Sequence, residues 1–245
     1  MNRRLAVFVV ISIVSIAFLT GFTFYLYLSF KPQVNPLFWL IGFEDNANIL
    51  FEDFEIMDTS RWYWRTDGNG QISCSNSVAE FKIPSSTGDL YSNAEIYDAE
   101  GRLPYRQITA VFNVRCVNPT NGSRGWGFWN GLFGSDMNLV WFMYMNRSAT
   151  HDGLWTYVVR NGDTWSNQVT DVKLSLWHNY TIIWRSESVD FLVDGEAKSR
   201  FEGDTPDANM RLDIWVDNRT WEEPVTLHPI SEETKLLVDW VIIYY

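Results

Sequence analysis

Histidine and cysteine are scarce in this chain, three and two residues of 245, and their placement removes several chemistries at once. His151, His178 and His228 show no metal-ligand spacing, and there is no CxxC or mixed Cys/His cluster, so the pattern of a zinc site is missing. No G-x-S-x-G elbow is present from which Ser-His-Asp chemistry would start. Gly125-Trp-Gly127 lacks the following glycine and helix of a phosphate loop. Basic residues are outnumbered, 19 Lys and Arg against 30 Asp and Glu, a net charge of −11. Such a surface repels phosphate backbones, which excludes nucleic acid as a partner.

Charge is absent altogether from Leu5 to Phe30, twenty-six residues that follow Arg3 and Arg4 and end at Lys31. As a helix rising about 1.5 Å per residue this run is roughly 39 Å long, more than the roughly 30 Å hydrocarbon core of a bilayer requires. Ser15-Ile-Ala17 offers a small-x-small pair, so a cleaved signal peptide is the rival reading. Cleavage there leaves Phe22, Phe24, Tyr25 and Tyr27 apolar and without a role, which favours an uncleaved anchor over residues 1–30. Arg3 and Arg4 outweigh Lys31, so the amino terminus is expected in the cytoplasm and the remainder outside the cell membrane. Without those two arginines the balance from residue 31 onward is 17 basic to 30 acidic, a net of −13.

Residues 31–48 form a linker whose apolar cluster, Leu37 to Phe43, either lies in the membrane interface or packs beneath the domain as a first strand. From residue 49 to 245 helical periodicity is nearly absent, and short β runs alternate with Gly, Asn, Asp and Ser. Val189, Phe191 and Val193 alternate with Ser188, Asp190 and Leu192, and Asp194-Gly195 supplies the two positive φ values of a type I′ turn. In WHNYTIIW the Tyr180, Ile182 and Trp184 face is the expected core face, with Asn179 on the other. Many strands joined by long antiparallel connections predict an all-β, two-sheet β-sandwich of the jelly-roll kind behind one N-terminal transmembrane helix.

On the external side Cys74 and Cys116 are expected to form a disulfide, provided that their Cα atoms come within reach. Sequons at Asn121, Asn146, Asn179 and Asn218 agree with an exported glycoprotein, whereas Asn118-Pro-Thr is blocked by its proline.

Several segments, in order, resemble the concanavalin A-like lectin/glucanase superfamily, and within it the laminarinase and lichenase group known as glycoside hydrolase family 16. These are FEDFE (51–55) with Trp62, YRQITAVFNVR (105–115), a Gly- and Trp-rich turn GSRGWGFWNG (122–131), WHNYTIIWRSESVDFLVDG (177–195), LDIWVDN (212–218) and VDWVIIYY (238–245). The resemblance implies a catalytic E-x-D-x-x-E on the strand after that turn, with one carboxylate as nucleophile and the other as acid. Here the strand reads DMNLVWFMYMN, without an acid from 137 to 145 and apolar on both faces, as a covered central strand is. No catalytic residue is therefore assigned.

Binding survives the loss of the acids, because sugars are held on aromatic platforms flanked by hydrogen-bonding groups. Trp126, Trp129 and Trp155 are candidates, although with 13 tryptophans most must lie in the core. Asp213, Trp215 and Asp217 share one strand face as a carboxylate, indole, carboxylate row, and the resemblance places Trp215 in the cleft. The two aspartates are roughly 13 Å apart along a strand, too far for a retaining pair. The resemblance also implies a structural Ca²⁺ held by Asp239 of the closing strand with Glu52 or Asp53. The expected protein is a membrane-anchored module binding cell-surface or environmental polysaccharide. A divergent glycoside hydrolase or lyase with acids placed elsewhere, and a structural envelope component, are the alternatives.

Overall fold

The computed structural model describes residues 48–99, 108–119, 121–146, 152–203, 205–221 and 226–245. The expected anchor, and the linker up to residue 47, lie outside the described residues. Among these residues no helix is long and apolar enough to cross a membrane.

The described strands, in chain order, begin with β1 (Ile49–Glu52), β2 (Trp62–Asp67), β3 (Gln71–Ser75), β4 (Val78–Ile83), β5 (Asn93–Asp98) and β6 (Ile108–Val117). They continue with β7 (Gly122–Trp129), β8 (Leu139–Asn146), β9 (Gly153–Arg160), β10 (Asp163–Val169), β11 (His178–Trp184) and β12 (Ser188–Val193). The last are β13 (Glu196–Glu202), β14 (Arg211–Asp217), β15 (Arg219–Thr220), β16 (Thr226–Leu227) and β17 (Thr234–Tyr244). Two large antiparallel sheets result. One runs β13-β12-β11-β6-β17-β4-β3 with β1 added to β17, the other β10-β9-β8-β7-β14-β5-β2.

Period-two alternation explains why the sheets face each other. Tyr180, Ile182 and Trp184 of β11, and Val189, Phe191 and Val193 of β12, enter one inter-sheet core, as the alternation predicts. From the opposite sheet Trp126, Phe128, Val140 and Phe142 meet them. Trp126 stacks on Phe142 at 6.0 Å and stands edge-on to Tyr180 at 4.7 Å, which ties β7 and β8 to β11. The β12-β13 turn has Asp194 at φ 52° and Gly195 at φ 82°, the two positive values expected. His178 braces that turn from its two ring nitrogens, 2.6 Å from Asp194 Oδ2 and 3.1 Å from Lys173 O, a structural role.

Four expectations need correction. The Gly- and Trp-rich segment is not a turn: residues 122–129 are a strand with every residue buried, paired to β8 and β14. Trp126 belongs to the core and does not reach a ligand face. Cys74 and Cys116 are both free thiols. They lie on β3 and β6, with β4 and β17 between. Three inter-strand spacings of about 4.8 Å separate them, twice the roughly 7 Å limit for a bridge. Burial pushes both thiols up to about 11, with Glu52 adding to it at Cys74. Among the sequons, Asn121 and Asn218 are buried with their amide nitrogens donating to Pro229 O and Leu90 O, so a glycan has no way out. Asn146 and Asn179 are half-buried.

Titration of unreduced chain with a thiol reagent in denaturant should therefore find two free thiols, and the native fold should react slowly because both thiols resist ionisation. No reaction in denaturant would place a disulfide there after all.

Candidate functional site

The outer face of the seven-stranded sheet collects residues of the opposite parity to the core. On β14 these are Arg211, Asp213, Trp215 and Asp217; on β5, Asn93, Glu95 and Tyr97; on β7, Ser123, Gly125, Gly127 and Trp129. The register sets Trp215 between Glu95 and Gly125, and Gly127 between Asp213 and Trp141. The glycines are needed for room. A Cβ on Gly125 would stand 2.2 Å from the Trp215 ring, and one on Gly127 2.6 Å from the Trp141 Cβ. The Trp215 indole thus lies down over bare backbone, and Trp141 packs on it at 4.5 Å.

On β8 the same face carries Leu139, Trp141, Met143 and Met145, which join Trp129, Tyr157, Val159 and Trp215 in a second apolar cluster. The strand is apolar on both faces because each face closes a different core, as the sequence suggested. Beside this cluster opens a pocket of about 360 Å³ between β2, β5 and β14 and the loops bearing Phe133 and Trp221. Asp213, Trp215 and Asp217 all line it, as does Trp129. Trp155 stays outside it, half-buried on β9 beside Tyr157 at 6.5 Å.

One hydroxyl organises the base of the pocket. Ser123 Oγ accepts the indole N–H of Trp215 at 3.1 Å and of Trp221 at 2.9 Å, and donates to Asp217 Oδ1 at 2.7 Å. Asp217 in turn accepts Arg219 Nε at 3.0 Å, and the Arg219 guanidinium lies over the Trp221 ring at 3.8 Å. Burial lifts the Asp217 carboxyl to about 6 against the pull of Arg219 and Ser123.

The sequence alone did not single out Glu95. It is buried, accepts Asn93 Nδ2 at 2.8 Å and Arg65 Nη1 at 3.3 Å, and is hydrogen-bonded to Asp213. Burial, then the Glu95 charge, hold the Asp213 carboxyl well above the usual carboxylate range, with Arg211 and Arg65 opposing. A second negative charge so close to the first is disfavoured, and this adds to burial in raising the Asp213 carboxyl. The signal lay in Asn-Ala-Glu-Ile-Tyr, where three polar side chains alternate with two apolar ones.

The calcium candidates separate. Both Glu52 oxygens are engaged, one with the Phe54 N–H at 2.9 Å and one with Trp62 Nε1 at 2.7 Å, which leaves Asp53 and Asp239. Asp239 is raised by burial and then by Asp53, so the two acids are neighbours. Among the described residues no three His, Cys, Asp or Glu side chains gather as a metal site.

No protein-family model matches the chain, and no curated protein matches it in sequence. Solved structures do share its fold. A β-glucanase from Bacillus licheniformis superposes with a TM-score of 0.63 at 14% identity, covering 82% of this chain and 99% of its own. A β-1,3-1,4-glucanase (lichenase) from a mouse hindgut metagenome gives 0.60 at 16%, covering 80% and 98%. A β-1,3-glucanase from Mycobacterium marinum gives 0.59 at 12%, covering 82% and 100%. The described domain therefore has the jelly-roll fold of these glucanases.

A raised carboxyl makes a signed prediction. Asp213 binds its proton more tightly folded than unfolded, so its contribution is complete below about pH 4 and is lost as pH rises through its folded value. Asp217 adds a loss between 3.8 and about 6. Above about pH 4, Asp213→Asn, which keeps a donor toward Glu95, should flatten the fall in stability by up to ~1.4 kcal/mol per pH unit. Urea midpoints from pH 4 to 8 read this; parallel slopes for the variant and the natural chain would mean that Asp213 is ionised.

Proposed function

We propose that this chain is a glycan-binding module whose binding site is the pocket on the outer face of the seven-stranded sheet, and that it does not hydrolyse its ligand by the family 16 route. The observation that carries this is the lining: indoles of Trp129, Trp141, Trp215 and Trp221 beside the hydrogen-bonding groups of Asn93, Glu95 and Asp213. Flat apolar rings take the C–H face of a sugar ring, and carboxyl and amide groups take its hydroxyls. Polysaccharide is the ligand class, supported by the glucanases that share the fold. Against hydrolysis stand Leu139, Trp141, Met143 and Met145, whose side chains fill the face of β8 where the resemblance puts the acids.

Titration of the full chain in detergent with β-glucan and galactan oligosaccharides, with reducing ends assayed in the same wells, tests this. One oligosaccharide should bind, and Glu95→Gln, which removes an anionic acceptor, should weaken it about tenfold, about 1.4 kcal/mol. Absence of binding throughout would move the weight to a structural envelope role.

A second reading has its own observation. Burial and the Glu95 charge raise the Asp213 carboxyl in a pocket, the direction that a general acid needs. Its contact with Glu95 is closer than the roughly 5–5.5 Å of a retaining pair, so a divergent hydrolase or lyase would need another base. New reducing ends lost in Asp213→Asn would establish that reading over the first.

The uncharged run Leu5–Phe30 supports a single-pass anchor with this domain outside the cell membrane. Protease added to intact cells should then remove the domain, and protection until lysis would place it inside.

A further inference from the structure

Three arginines line the pocket, and two are held by carboxylates. Arg65 pairs with Asp67 at 2.8 Å and Glu95 at 3.3 Å, and Arg219 with Asp217 at 3.0 Å. Arg211 is held differently. Its guanidinium lies over the Tyr97 ring at 3.7 Å and 5.5 Å from the Trp129 ring, and among the described residues no carboxylate comes within ion-pair distance. Its Nε is buried without a hydrogen-bond partner. One more atom of the same pocket is in that state, Trp141 Nε1.

Buried polar atoms in native folds are nearly always paired, so two orphans around one pocket mark the places where a bound molecule would supply partners. The rings cover the faces of the Arg211 guanidinium and leave its edge. A planar fork of donors offered edge-on matches an oxyanion, to which it bonds in a bidentate way. Among the described residues Arg211 is thus the pocket arginine without a carboxylate partner, and a wholly neutral glucan has no need of its charge.

We infer that the pocket takes a glycan residue bearing an anionic group, a uronate carboxylate or a sulfate ester, with Arg211 as the residue that receives it. The inference rests on the glycan-binding reading and names the ligand class within it. The charged edge of Arg211 would meet the anion, Trp141 Nε1 would donate to a ring or hydroxyl oxygen, and the Glu95–Asp213 pair would hold the hydroxyls beyond.

The full chain in detergent is titrated with oligosaccharides of equal length from a polyuronate, a sulfated galactan and a neutral galactan, in low and high salt. The natural chain should prefer one anionic oligomer over the neutral one by at least tenfold, the winning arm distinguishing carboxylate from sulfate. Arg211→Gln should bring the ratio of anionic to neutral affinity down toward one, whatever its effect on either affinity alone. Arg211→Lys, with charge but no fork, should keep part of it. Equal binding of neutral and anionic oligomers by the natural chain, or an undiminished preference in Arg211→Gln, overturns the anionic assignment and leaves the glycan-binding reading standing. Binding of none overturns both. If Arg211→Gln does not fold, the natural chain's discrimination together with Arg211→Lys still decides.

Discussion

The outer face of the seven-stranded sheet depends on one side chain that has no spare hydrogen-bonding capacity. A serine hydroxyl has one donor and two acceptor positions, and Ser123 uses all three, on the indoles of Trp215 and Trp221 and on Asp217. Through those bonds it orients the aromatic floor, fixes the loop that carries Trp221, and holds the carboxylate that pairs Arg219. Loss of that oxygen would leave two indole donors short, at about 1–3 kcal/mol for each group left buried and unpaired. Two positions along, Gly125 supplies the complementary constraint, an absence of volume. The same strand that gives Trp126 and Phe128 to the inter-sheet core thus gives its other face to the site, and neither face tolerates a change of size.

That arrangement fills the outer face of β8 with apolar side chains. Glycosidase acids on that strand would project where Trp141 and Met143 now pack against Trp215 and Tyr157. Acids buried in such a cluster would be driven to their neutral forms by desolvation. Indole and thioether here build a second hydrophobic core, and the polar groups of this face are concentrated on β2, β5 and β14.

How far the amino-acid sequence carried the argument differs by the kind of signal. Period-two patterns were legible: Tyr180, Ile182 and Trp184 against Asn179, the Asp194-Gly195 turn, and the shared face of Asp213, Trp215 and Asp217 all reappear in the structure. Signals that depend on which strands become neighbours were not. Cys74 and Cys116 are separated by β4 and β17, an order that local pattern does not encode. Asn121 and Asn218 satisfy a three-residue rule, yet tertiary contacts to Pro229 and Leu90 engage their amides. The glycine-rich segment suggested a turn because glycine favours turns, whereas here Gly125 makes room for the Trp215 indole from β14 and Gly127 for the close backbone of β8. Glu95 was hidden for the same reason, since its importance comes from a diagonal neighbour on β14 that is more than a hundred residues away in sequence.

The carboxyl pair and the arginines belong to one electrostatic arrangement. Arg65 is held by Asp67 and Glu95, and Arg219 by Asp217, so each of these cations is matched by a carboxylate. Burial, and then the Glu95 charge, raise the Asp213 carboxyl, which favours its neutral form two residues from Arg211 on the same strand face. The Arg211 guanidinium is instead held over the Tyr97 ring, and among the described residues it has no carboxylate partner. A negative charge on Asp213 would compete with a bound anion for that guanidinium, so the burial that disfavours the charge also favours the anion.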